Sequence, residues 1–168
     1  IPIDPYYLYW RAKKFGQKAK FIKLAGDINI ETTNWVIKNI IKILNLKLKI
    51  NKRKKILVLG LAYKKNIEDI RESAAIKIIK ALIDKKYTVD FTDPHADYKC
   101  KTLREKKSKN FIGSSKYIKL NKKNLLKYDC VVLVTDHDKF NYELIKRYSK
   151  ILIDTRNRIS RERNFYRL

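Results

Sequence analysis

Tyr63, Lys64 and Arg71 follow closely on an unbroken apolar run, and their types suit one kind of guest. A tyrosine ring offers a stacking face, a lysine a compact positive charge, and an arginine a planar fork that fits oxyanions. Residues 56–59 (Ile-Leu-Val-Leu) read as a short strand covered on both faces. Gly60 ends that strand where the backbone must turn sharply or come close to a ligand. From about residue 71 the spacing becomes helical, and a helix N-terminus already favours anions. A phosphate is the simplest ligand for such a place. Gly60-Leu61-Ala62 is not a G-x-G-x-x-G fingerprint, so this loop does not read as the main cradle of a dinucleotide.

Other reactive side chains carry weaker signals. Asp136-His137-Asp138 puts carboxylates beside an imidazole, a common acid–base combination. Neighbours in a loop rarely aim at one proton, however, so a loop-fixing or helix-capping role is the expectation. His95, after Asp93-Pro94, reads as a turn residue. His95, Cys100, Cys130 and His137 lack the close paired spacing of a zinc site, and no metal is expected. Asp4, just before Pro5, suits a helix N-cap.

These side chains need elements to hold them. Residues 5–16 read as a helix with Pro5 near its start and Gly16 as its stop. A second helix is expected over about 18–29 and a third over about 33–48. On the third, Val36, Ile37, Ile40, Ile41, Leu44 and Leu48 form a broad apolar stripe that calls for a partner. A basic hinge covers 47–55. Strands are then expected at 56–59, 87–92, 117–120, 131–135 and 151–154, alternating with helices at about 71–85, 121–127 and 140–148. Such alternation implies an α/β fold: a Rossmann-like parallel sheet with helices on both faces, preceded by an all-helical central segment. The domain boundary falls between 1–50 and 51–168. Ligands to such sheets sit beyond the strand C-termini, the edge that carries Gly60, Asp93, Thr135 and Asp154.

Lys and Arg number 41 against 17 Asp and Glu, a net charge of +24. That balance favours polyanionic partners. The excess is nonetheless spread through the chain, as lysines on solvated faces would be. No apolar run is long enough to span a bilayer, and two distant cysteines suit a reducing, cytoplasmic setting. The chain starts at Ile1 and holds no Met, which points to a fragment.

Residues 57–73 (Leu-Val-Leu-Gly-Leu-Ala-Tyr-Lys-Lys-Asn-Ile-Glu-Asp-Ile-Arg-Glu-Ser) resemble the C-terminal half of the NAD-dependent nucleotide-sugar 6-dehydrogenases. This is the UDP-glucose/UDP-mannuronate dehydrogenase family, and the similarity is greatest to the branch oxidising UDP-N-acetylglucosamine. Residues 1–8, 21–26, 135–140 (Thr-Asp-His-Asp-Lys-Phe) and 153–156 (Ile-Asp-Thr-Arg) fit the same family in the same order. The resemblance implies that 51–168 hold the UDP end of the substrate, while NAD is bound mainly by an N-terminal domain absent from this chain. It assigns Tyr63, Lys64 and Arg156 to the nucleotide sugar and Arg71 to the cofactor. It implies a homodimer through the helices of 1–50. It also places Asp4 four positions after the family's nucleophilic cysteine, where it would orient or deprotonate water. In the implied reaction two NAD oxidise the sugar C6 to the uronate by way of a covalent thiol adduct. The isolated chain is therefore expected to bind UDP without turning it over. Two other readings stay open: a non-catalytic UDP-sugar-binding or dimerisation module, and a basic nucleic-acid-binding domain, which lacks a reader motif.

Overall fold

In the computed structural model, which describes residues 4–48, 54–96, 114–160 and 164–168, the alternating pattern closes into one parallel sheet. Its strands are β1 (Lys55–Leu59), β2 (Thr88–Thr92), β3 (Cys130–Leu133), β4 (Leu152–Asp154) and β5 (Phe165–Arg167), in the order β2-β1-β3-β4-β5. Every neighbouring pair is parallel, with Leu59 opposite Thr92 on one side and Leu133 on the other. Ile56 to Leu59 are all fully buried, as a strand covered on both faces requires. Leu57 and Leu59 pack in one cluster with Leu125, Val131, Leu133, Phe140, Ile145 and Leu152. Ile56 and Val58, of opposite parity, face the other side.

Three helices of the sheet unit begin at side-chain caps. They are α3 (Ala74–Asp84), α4 (Lys122–Leu125) and α5 (Tyr142–Tyr148), capped by Ser73, Asn121 and Asn141. Each cap accepts a hydrogen bond from an otherwise unsatisfied first-turn amide. The expected starts at 71, 121 and 140 therefore move inward by one to three residues. The expected strand at 117–120 reduces to a single bridge between Phe91 and Tyr117, while β5 was not anticipated. Phe165–Arg167 is a short, half-exposed edge strand, so it lacks the apolar run that marks its neighbours.

Before the sheet come α1 (Asp4–Lys14) and α2 (Lys20–Lys47). The two helices expected at 18–29 and 33–48 are one. Thr32 and Thr33, which look like a break, donate their hydroxyls to the carbonyls of Ile28 and Asn29 one turn back. Gly26 lies inside α2 because Tyr6 of α1 rests on it: a Cβ there would lie 2.5 Å from the tyrosine Cζ. Two compact units result, Ile1–Lys38 and Asn39–Leu168. In the second unit Ile40 and Leu44 are fully buried, and Asn45 accepts a hydrogen bond from the Tyr87 hydroxyl. In the first, Phe21 is 87% exposed, and Tyr7, Phe15 and Trp10 are also open. Cys100, the basic 99–109 segment and residues 49–53 of the hinge lie outside the described residues.

The strand order sets the place of the site. The chain goes from β1 outward to β2, then returns past β1 to β3. Chain direction thus reverses between β1 and β3, which puts the crevice of a parallel sheet beyond their C-terminal ends. The loops leaving Leu59 and Leu133 meet there.

Candidate functional site

Asp93 is the hub of this edge. It follows β2 and is buried, and its carboxylate accepts five hydrogen bonds. Oδ2 takes the amides of Leu61 (2.6 Å) and Ala62 (2.9 Å) and Nε2 of His137 (3.0 Å). Oδ1 takes the amides of His95 (2.8 Å) and Ala96 (2.9 Å). Burial pushes this carboxyl up. The bonds from His137 and from the Ala96, Ala62 and His95 amides outweigh burial and hold it well below the usual carboxylate range. Two consequences for binding follow. The first amides after β1 are engaged by Asp93, so they are not offered to a ligand phosphate. At α3 the Ser73 hydroxyl takes the Ala75 amide. The Leu61, Ala62 and Ala75 amides are thus withdrawn, and the positive charge that an anion meets here comes from side chains.

His137 leaves β3's loop with its ring fully buried. Its Nδ1 accepts from the Asn66 backbone amide at 2.9 Å. An amide can only donate, so the ring proton sits on Nε2 and points at Asp93. Asn66, at φ +60, pairs reciprocally with Asp138: its Nδ2 donates to Oδ2 (2.7 Å), and its Oδ1 accepts from the Asp138 amide (3.0 Å). Thr135 adds a bond from its hydroxyl to the Ala62 carbonyl at 2.7 Å. The β1 and β3 loops are thereby laced together.

Asp154 plays a similar part at the end of β4. Its buried carboxylate accepts from the amides of Arg156, Arg158 and Ile159, each at 2.7 Å. This turn presents two arginines to the β3 loop. Arg156 Nε donates to Asp136 at 3.2 Å, and Arg158 Nη2 approaches Asp138 at 3.4 Å. Arg158 also lies 5.1 Å from the centre of the Tyr142 ring. Lys65 reaches the same oxygen of Asp138 at 2.7 Å, so one carboxylate collects cations from two loops. The Lys65 and Asn66 hydrogen bonds hold the Asp138 carboxyl below its ordinary value.

The expected site residues are distributed as follows. Tyr63, Lys64 and Arg156 all belong to loops of this C-terminal edge. Those loops are tied by Lys65 and Arg158 to Asp138 and by Arg156 to Asp136, and no hydrogen bond joins the three expected residues to one another. Tyr63 is partly exposed, and its amide donates to the Asp69 carbonyl. Lys64 is exposed, and among the described residues nothing pairs with its ammonium. Arg71 is in the turn before α3, its side chain 84% exposed and doubly bonded to Asp69. That pairing holds Asp69 at about 2. Asp4 is the first residue of α1, exposed, within the helix rather than capping it. Lys65, adjacent to Lys64, and Arg158, two residues after Arg156, join the edge without a sequence signal of their own, as does the pairing of His137 with Asp93. His137 does fix a loop, as expected, but its partners come from distant parts of the chain. A hollow of about 510 Å³ along α5, lined by Asn141, Leu144, Arg147 and Tyr148 among others, includes none of the expected residues. Cys130 is fully buried on β3, and burial pushes its thiol up, away from nucleophilic use.

A pH dependence follows from Asp93. In the unfolded chain this carboxyl titrates at about 4. In the folded chain it titrates lower, so on acidification the unfolded state takes up a proton first. The stabilisation is therefore complete above about pH 4 and is lost as pH falls toward the folded value. Denaturant unfolding of Asp93→Asn is expected to show a flatter loss of stability below about pH 4, by up to about 1.4 kcal/mol per pH unit. Equal slopes in both proteins would contradict this assignment.

Comparison with known proteins places these features. The family model described as the UDP-glucose/GDP-mannose dehydrogenase family, UDP binding domain, matches residues 57–161. The chain is 36% identical over 168 residues to a UDP-N-acetyl-D-mannosamine dehydrogenase of Methanococcus maripaludis, covering 94% of this chain and 34% of that one. It is 33% identical over 98 residues to a UDP-N-acetyl-D-glucosamine 6-dehydrogenase of Salmonella typhi, covering 58% of this chain and 23% of the relative. Its fold matches a solved UDP-D-ManNAc dehydrogenase of Pyrococcus horikoshii, with TM-score 0.71, 26% identity, and coverage of 99% of this chain and 37% of that chain. The chain spans about a third of the length of the curated relatives it matches.

Proposed function

Because the chain belongs to the UDP-glucose/GDP-mannose dehydrogenase family, carrying that family's UDP-binding domain, we propose that its sheet edge holds the diphosphate of a UDP-sugar. On this reading the domain serves the NAD-dependent oxidation of a UDP-N-acetylhexosamine to its uronate. Both N-acetylglucosamine, expected from the motifs, and N-acetylmannosamine fall within that class, and relatives are named for each.

The observation that carries the reading is the state of Lys64. It stands in the loop after β1, at the sheet's reversal point, with an ammonium unpaired among the described residues. The neighbouring cations Lys65, Arg156 and Arg158 are each held by Asp136 or Asp138. Lys64 supplies a free charge, Arg156 a fork that exchanges Asp136 for a phosphate oxygen, and Tyr63 a stacking face. Backbone amides contribute little, since Leu61 and Ala62 already serve Asp93. Gly60-Leu61-Ala62 also lacks the G-x-G-x-x-G pattern of a dinucleotide cradle, so NAD is assigned to another part of the enzyme. Arg71 is proposed to face a cofactor held elsewhere in the enzyme, by exchanging Asp69. Asp4 is proposed to serve the later hydrolysis, and the open apolar side chains of α1 and α2 to meet a second copy of the chain. A cytoplasmic setting is proposed with them. No described helix is long and apolar enough to cross a membrane.

Calorimetric titration with UDP tests the reading. Lys64→Ala and Arg156→Ala are each expected to weaken binding about tenfold, the loss of one charge-assisted contact. Unchanged affinity in both variants would remove the site from this edge.

A further inference from the structure

His137 is the one imidazole that joins the hub of the sheet edge to the loop carrying Lys64. Its ring is fully buried, so it cannot itself touch a ligand. Its two nitrogens have separate tasks. Nε2 donates to Asp93 at 3.0 Å, and Nδ1 accepts from the Asn66 amide at 2.9 Å. Asn66 stands at φ +60, in the left-handed region that asparagine tolerates better than most non-glycine residues. The Asn66 side chain is locked to Asp138, and Lys65 is tied to the same carboxylate. Lys64 thus precedes two residues that are clamped to the β3 loop, while its own ammonium stays unpaired among the described residues.

From this we infer that His137 is a positioning residue for diphosphate recognition: its Nδ1, rather than its bond to Asp93, sets the backbone from which Lys64 reaches the ligand. The inference rests on the UDP-binding reading given above. It separates the two halves of one side chain. The Asp93 contact stabilises the edge, where four backbone amides already hold that carboxylate without His137. The Asn66 contact fixes the loop, and no other acceptor serves that amide among the described residues. Without it the αL turn loses the bond that holds its backbone amide, and only the side-chain ties to the exposed Asp138 remain. The Lys64 charge is then spread over more positions, which weakens binding through lost preorganisation.

Two substitutions divide the nitrogens. In His137→Asn the side-chain oxygen occupies the place of Nδ1 and can still accept from Asn66, while the donor to Asp93 is gone. In His137→Gln the amide reaches the place of Nε2 and can still donate to Asp93, while Asn66 loses its acceptor. Both variants lose stability, so stability does not discriminate. UDP affinity, titrated well below either melting temperature, does. His137→Asn is expected to stay within about threefold of the parent and His137→Gln to weaken about tenfold. In the His137→Gln background, Lys64→Ala is expected to weaken binding less than in the parent, because its charge is already misplaced. Equal affinities in the two variants, or a full Lys64→Ala effect in the His137→Gln background, would overturn the inference. Hydrogen exchange of the Asn66 amide gives a reading free of UDP: protection is expected to persist in His137→Asn and to fall in His137→Gln. If the parent chain does not bind UDP, the functional reading fails, and the exchange pattern alone then decides whether Nδ1 orders this loop. Unaltered exchange in both variants overturns it.

Discussion

Asp93→Ala is expected to cost the sheet unit about 3–5 kcal/mol, the loss seen when one partner of a buried charged network is removed. Five donors converge on this carboxylate, four of them backbone amides of two different loops. Each buried donor left without a partner costs about 1–3 kcal/mol. The sum is reduced because the loops relax and admit water. The same variant should bind UDP weakly even where it is folded, since Leu61 and Ala62 begin the loop that carries Lys64. Equilibrium unfolding in urea measures the first effect. A loss below about 1 kcal/mol would mean the amides find other acceptors and the hub is not one.

Gly60→Ala is the second large effect. Gly60 stands at φ +84, and a Cβ there would lie 2.5 Å from the Thr135 Cβ and 2.7 Å from the Thr135 backbone nitrogen. Backbone cannot swing aside as a flexible side chain can. The positive φ adds about 1–2 kcal/mol and the overlap about 1–3 kcal/mol, so a total of about 3 kcal/mol is expected. Gly16→Ala is the control. Gly16 has φ +69 but nothing within 4 Å of an added Cβ, so only the conformational strain should be felt. Thermal unfolding of both variants checks the difference. Equal shifts would show that the approach of β1's loop to Thr135 costs nothing. Because Gly60 lies where β1 and β3 part, its substitution should also lower UDP affinity by splaying the two loops.

The Asp93 and Gly60 effects show how unevenly the site could be read from the chain. Gly60 was legible as a point of turning or close approach, because only glycine combines a positive φ with the absence of a Cβ. What it approaches, the backbone of Thr135, lies far along the chain and was not. Tyr63 and Lys64 are expected ligand contacts from the sequence, with a phosphate at a helix N-terminus, and the structure puts both in the loop after β1. In the structure α3 begins at Ala74, later than expected, and Ser73 takes the Ala75 amide, so one of its free first-turn donors is already served. Asp93 was visible as a residue of the sheet edge, yet nothing in Asp93-Pro94 announces five donors. The continuous α2 was hidden because Thr32 and Thr33 look like a break until their hydroxyls are seen bonded to the preceding turn.

The sequence by itself determined the α/β alternation, the parallel sheet and the edge at which charge gathers. Those follow from periodicities of two and 3.6 residues and from single special residues, all of which are local quantities. Only the tertiary structure decided that Asp93 serves His137, that one oxygen of Asp138 holds Lys65 and Arg158, and that Lys64 meets no carboxylate among the described residues. The physical reason is range. A hydrogen bond or ion pair acts over about 3–4 Å in space, whatever the separation along the chain. Which carboxylate neutralises which cation is therefore fixed only when the strand order brings their loops to one rim.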